Sequence, residues 1–84
     1  MINVLFFGQL REQLGAAAIE VEWSNATATL SGLQARLLEQ GGEKWQAPLT
    51  QDNLICAINQ EVAGVDQPIA DGDEVAFFPP VTGG

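Results

Sequence analysis

Two apolar stretches, residues 2–7 and 74–78, stand at opposite ends of the sequence with one amphipathic segment between them. In the first, Ile2, Val4 and Phe6 fall on one side of an extended chain, and Asn3, Leu5 and Phe7 on the other. A wholly apolar face has to meet a core. Leu5 and Phe7 are unusual for the solvated face of a strand. In the last stretch Val75 and Phe77 point inward, while Ala76 and Phe78 point the other way. Two such strands bracket the amphipathic segment. If they lie side by side they run parallel, and the connection between them is right-handed.

The intervening chain fills in the rest. Gly8 ends the first strand, and residues 9–14 read as a turn or loop around Arg11 and Glu12, closed by Gly15. Residues 19–23 alternate, with Ile19, Val21 and Trp23 inward and Glu20 and Glu22 outward, as in a half-buried strand. Its spacing from the first strand suits an antiparallel hairpin with a long loop. Thr29 is a helix N-cap by type. Leu30, Leu33 and Leu37 follow at helical spacing, and Gly41-Gly42 is a stop, so a helix spans about 30–40. Gly32 inside it costs up to about 1 kcal/mol against alanine, a cost that close packing on the sheet would explain. Residues 43–53 are polar and irregular, anchored by Trp45 and Leu49, with room for a short helical turn at Trp45. Residues 54–58 are nearly all apolar, as in a strand that is covered on both faces or central in the sheet. Asn59-Gln60-Glu61 reads as a turn, 62–69 as an irregular return, and Asp71-Gly72-Asp73 as a tight turn before the last strand. Pro79-Pro80 has no ladder donors, which ends pairing and directs the chain off the sheet edge. The order strand, strand, helix, strand, strand is α+β and fits a β-grasp, a mixed sheet wrapped around one main helix.

Size and charge narrow the function. Eighty-four residues, 46% of them apolar, make one small domain. No apolar run is long enough for a membrane span, and the first residues read as a strand rather than a signal peptide. A net charge of −8 argues against nucleic acid and anionic membrane. It fits a basic partner surface, or solubility alone. With no histidine and the single Cys56, no metal site is expected. Cys56 lies in an apolar run and reads as an inert buried thiol, in keeping with a cytoplasmic location. Asp71-Gly72-Asp73-Glu74 lacks the spacing of an EF-hand loop.

The sequence closes on Gly83-Gly84. Without side chains these residues can thread a narrow channel, and a terminal carboxylate can be activated to carry a group. Residues 1–80 form the domain and 81–84 a flexible tail that spans about 13–14 Å when extended. General acid–base groups would have to come from a partner.

The run Asp71-Gly72-Asp73-Glu74-Val75-Ala76-Phe77-Phe78-Pro79-Pro80-Val81-Thr82-Gly83-Gly84 resembles the C-terminus of the molybdopterin synthase small-subunit family. Val4-Leu5-Phe6-Phe7-Gly8-Gln9-Leu10-Arg11-Glu12 is similar to that family's first strand and loop, as is Asn59-Gln60 before the return strand. Residues 16–53 match in pattern and length only. The resemblance implies a ubiquitin-like β-grasp and a sulfur-carrier role, with no tightly bound cofactor and no catalysis by this chain alone. An adenylating enzyme would use ATP to form an adenylate on Gly84, and a sulfur donor protein would supply the sulfur that converts it to a thiocarboxylate. Val81, Thr82, Gly83 and Gly84 would insert into a large catalytic subunit, within a heterotetramer, and deliver dithiolene sulfur to a pyranopterin precursor in molybdenum cofactor biosynthesis. Phe7, Val62 and Phe78 would form the docking patch. Alternation independently puts Phe7 and Phe78 on the non-core face. Two alternatives share the fold and the Gly-Gly end. One is a sulfur carrier for thiamine thiazole assembly, against which the Phe-Phe-Pro-Pro-Val-Thr stretch argues. The other is a ubiquitin-like modifier joined to lysines.

Overall fold

In the computed structural model, which describes residues 1–80, the two terminal strands pair at the centre of the sheet. Strands β1 (Ile2–Phe6) and β5 (Glu74–Phe78) run parallel, with Val4 opposite Val75 and Phe6 opposite Phe77. β2 (Ala18–Val21) pairs antiparallel with the other edge of β1. β3 (Ile55–Ile58) pairs antiparallel with β5, and β4 (Glu61–Val62) with β3, giving the order β2-β1-β5-β3-β4. Ile2, Val4, Phe6, Val75 and Phe77 are wholly buried, as their alternation requires.

The main helix, α2 (Leu30–Gly41), lies across that face and buries Leu30, Leu33 and Leu37. Thr29 caps it by accepting the Gly32 N–H at 3.2 Å. Gly32 does have a packing reason, but the partner is not the sheet. A Cβ there would stand 2.1 Å from the carbonyl oxygen of Ala26, in the 3-10 turn Asn25–Thr27 that precedes the helix.

Several segments differ from their sequence reading. Residues 9–14 form a helix, α1 (Gln9–Leu14), rather than a loop. Leu10 and Leu14, one turn apart, are both buried, and Gly15 in the left-handed region closes the helix. Much of the segment 43–53 is likewise helical, as α3 (Glu43–Thr50). Its anchors are those expected. Leu49 is fully buried, and Trp45 meets Phe6 edge-to-face at 5.5 Å while its indole N–H donates to the Leu14 carbonyl at 3.1 Å. The two short helices therefore hold each other through one indole. Trp23 does not point inward from a strand. β2 ends at Val21, and Trp23 is 37% exposed, its indole N–H donating to the Ile69 carbonyl at 2.7 Å.

The return after β3 is tighter than expected. Asn59 and Gln60 have φ of 51° and 72°. Two successive left-handed residues match the twist of a two-residue hairpin, so Glu61 and Val62 turn back as β4. The Asn59 amide then joins this hairpin to the start of β5. It donates to the Asp73 carboxylate at 3.0 Å and accepts the Glu74 N–H at 3.0 Å.

Candidate functional site: the outer face of the sheet

The face of the sheet turned away from α2 is also apolar. Leu5 and, just past β1, Phe7 lie on it beside Ala76 and Phe78 of β5, Ile55 and Ala57 of β3, and Val62 of β4. They line a shallow hollow of about 460 Å³. The central side chains, Ala57 and Ala76, are short and sit directly opposite each other in register, which lowers the middle of the face. Phe7 and Phe78 rise at one end as a nearly parallel stack, with centroids 4.8 Å apart and rings 7° from coplanar. The Phe7 N–H donates to the Phe77 carbonyl at 3.1 Å, so the pair stands where the parallel ladder ends. Val62 closes the opposite flank and is 82% exposed.

The three docking residues expected from the resemblance, Phe7, Val62 and Phe78, are thus brought to one surface. The expected tail residues Val81, Thr82, Gly83 and Gly84 lie outside the described residues. Leu5, Ile55, Ala57 and Ala76 join the face and were not singled out as docking residues. Leu5 had left a signal in its alternation. Ile55 and Ala57 left none, because a strand that is apolar throughout does not reveal which side a partner meets.

Charge sits on the rim rather than the floor. Glu74 borders the hollow. Near it the Asp73 carboxylate is held below the usual carboxylate range, first by the Ala70 N–H and then by the Asn59 amide. Cys56 faces the core, where burial pushes its thiol up to about 11, so it remains protonated at neutral pH. No group of three or more histidine, cysteine or acidic side chains that could hold a metal occurs among the described residues. None of their helices is long and apolar enough to cross a membrane. The face has the properties of a docking surface rather than those of an active site. It offers half-buried apolar side chains beside the exposed Val62 on a five-stranded sheet, and no nucleophile or acid–base pair.

A family model described as the ThiS family matches residues 4–84. This chain belongs to the ThiS family. A curated relative, the molybdopterin synthase sulfur carrier subunit of Haemophilus influenzae, is 46% identical over 84 residues and aligns along all of both chains. Among solved structures, SAMP1 from Haloferax volcanii superposes with a TM-score of 0.84 at 26% identity, covering 99% of this chain and 98% of that one. A chain from the complex of subunits 1 and 2 of the molybdopterin-converting factor of Helicobacter pylori superposes with a TM-score of 0.66 at 25% identity, covering 99% of this chain and 97% of that one. The ThiS-family fold here is the ubiquitin-like β-grasp, an α+β domain with a five-stranded mixed sheet.

Proposed function

We propose that this ThiS-family chain is the sulfur carrier subunit of a molybdopterin synthase, donating sulfur without catalysing its transfer. The observation that carries this reading is the end-to-end match to a protein of that name at 46% identity. The geometry supports it. A central strand leads toward the Gly-Gly end beside an apolar face, and a likeness to half of a two-subunit converting factor gives that face a natural occupant. In this reading the large catalytic subunit docks on Phe7, Val62 and Phe78, with two carriers on a dimer of large subunits.

The chemistry proceeds in three steps. The Gly84 carboxylate attacks the α-phosphorus of ATP on an adenylating enzyme, and pyrophosphate leaves. Sulfide-level sulfur, released from a donor protein as hydrosulfide, then attacks the acyl carbon and AMP leaves, which gives a thiocarboxylate. That soft anion attacks an electrophilic carbon of the pterin precursor inside the large subunit and displaces an oxygen substituent; water then hydrolyses the acyl–sulfur bond, which leaves the sulfur on the pterin and returns the Gly84 carboxylate. Carboxylate alone is a poor electrophile, and adenylation gives it a good leaving group. Val81 and Thr82 anchor the entering segment, and Gly83 and Gly84 go deepest. Proton transfers fall to the partner, because this chain has no histidine. We place these steps in the cytoplasm, a reducing compartment that suits a lone buried thiol.

Two assays test the reading. Incubation with the cognate adenylating enzyme, ATP and a sulfur source is expected to exchange one oxygen of the chain for sulfur by intact mass. Adding the large subunit and the pterin precursor is expected to yield molybdopterin. A protein-modifier role draws support from the likeness to SAMP1. Ladders of conjugated protein, without pterin conversion, would favour that role instead.

A further inference from the structure

The prolines after β5 do not carry the chain off a sheet edge. β5 is central, and Pro79 and Pro80 are both half-buried. Pro79 rests on Gly8. A Cβ placed on Gly8 would stand 3.0 Å from the Cγ of Pro79 and 3.3 Å from its Cδ, tighter than ordinary packing. Gly8 itself has φ 60° and ψ −138°, a backbone state that side chains disfavour. The turn out of β1 is therefore shaped to leave a seat for the ring, and only a residue without a side chain provides it. The residues just before Gly8 and Pro79 are fixed as well. Phe78 is stacked on Phe7, and the Phe7 N–H is bonded to the Phe77 carbonyl. The ring of Pro79 also fixes its own φ near −65°.

We infer that Pro79, seated on Gly8, is a positioning residue that sets the direction in which the chain leaves β5 toward the partner's active site. The inference rests on the sulfur-carrier reading and adds to it an aiming element within the folded domain. Docking on the outer face fixes where the body sits. The Gly8–Pro79 contact sets the direction of the backbone at Pro79, from which the tail continues. Reactions that depend on close alignment of bound atoms lose about 100-fold for a displacement near 1 Å, so a misdirected end would be bound and yet slow.

The test uses full-length carrier whose C-terminal thiocarboxylate is made by sulfide cleavage of a C-terminal thioester, so that only transfer is read. Single-turnover conversion of the pterin precursor by the cognate large subunit is measured for wild type, Pro79→Gly, Pro80→Gly and Gly8→Val. Affinity for the large subunit is measured alongside. Pro79→Gly is expected to slow transfer by about 10- to 100-fold with Kd unchanged within about twofold, and Pro80→Gly to slow it much less. Gly8→Val, with its proline intact, is expected to slow transfer as Pro79→Gly does. The inference is overturned if Pro79→Gly transfers at the wild-type rate. It is also overturned if both proline variants lose equally, which would mean general stiffness. The same holds if Kd weakens in step with the rate, which would make Pro79 a docking contact. Failure of wild type to convert the precursor at all would remove the carrier reading, and this inference with it, before any variant is compared.

Discussion

Val62 provides the cleanest measure of whether the outer face docks a partner. Its side chain is 82% exposed and sits on a two-residue edge strand opposite Ala57. In the free domain it therefore contributes little to folding. Val62→Ala removes two methyl groups. At about 0.8 kcal/mol for each buried carbon, the change costs about 1.6 kcal/mol of binding if the partner covers the site fully. That corresponds to roughly a 15-fold weaker Kd. Folding should change by less than about 0.5 kcal/mol, as for other exposed positions, or less than about 4 °C in Tm for a domain this small. Phe78→Ala would be harder to interpret. Phe78 is half-buried and stacked on Phe7, so truncating it weakens the fold and the interface together. The assay is titration calorimetry of wild type and Val62→Ala against the cognate large subunit, with thermal unfolding of each carrier alone. An affinity loss within twofold would show that Val62 stays in water in the complex, and the docking surface would then have to be redrawn around the Phe7–Phe78 end.

Four further outcomes are expected. Deleting Gly84 should abolish sulfur loading and pterin conversion while the circular dichroism spectrum and Tm stay at wild-type values; full turnover would refute the terminal-carboxylate mechanism. Raising salt from 0.1 to 1 M, which shortens the screening length from about 10 to about 3 Å, should slow association with the large subunit in stopped flow if the charge of −8 steers it; a flat response would leave that charge as a solubility feature. Cys56 should resist thiol reagents at neutral pH until the domain is unfolded. Because the folded thiol keeps a proton that the unfolded one releases, stability should fall as pH rises from 9.0 to about 11 and be insensitive to this group below that window. Gly32→Ala should lower Tm by the equivalent of up to about 2 kcal/mol, an overpacking cost of about 1–3 kcal/mol less a helix-propensity gain of about 1 kcal/mol, because the new Cβ meets the Ala26 carbonyl; a rise in Tm would show that the 3-10 turn yields easily.

The sheet was legible in the sequence where alternation and end position agree. β5 was expected over 74–78 and occupies those residues, and its parallel pairing with β1 followed from two apolar strands bracketing a helix. The short helices were harder to read. In α1 only Leu10 and Leu14 mark the periodicity, and Arg11, Glu12 and Gly15 look equally at home in a loop. α3 carries Pro48 inside it and is organised by Trp45, whose hydrogen bond reaches back 31 positions to Leu14. β4 was hidden because its turn uses Asn59 and Gln60 in left-handed conformations rather than a glycine. Trp23 followed the alternation by type but not by position, since the strand had already ended. For the docking face, alternation revealed Phe7 and Phe78. Val62 was expected on that face only from the resemblance, because a two-residue strand shows no pattern.

The placement of β5 bears on how a carrier of this kind can work. An edge strand holds its neighbours through one ladder and frays readily, and a chain leaving from it would swing with that motion. β5 is held on both sides, by β1 in parallel and by β3 in antiparallel register. Phe77, near its end, is wholly buried and stacks at 6.0 Å on Phe6. Displacing the end of β5 therefore means opening two ladders and the core together, rather than peeling a margin. The neighbouring Phe78 lies on the outer apolar face, so the surface proposed to meet a partner and the segment that leads onward share one backbone. In the proposed reading, a partner that binds the face also fixes the point from which the chain departs. Inserting a single glycine between Phe78 and Pro79 would break that link while leaving the face intact. Docking affinity should hold and transfer should slow; if transfer is unaffected, the coupling between face and departure point plays no part in delivery.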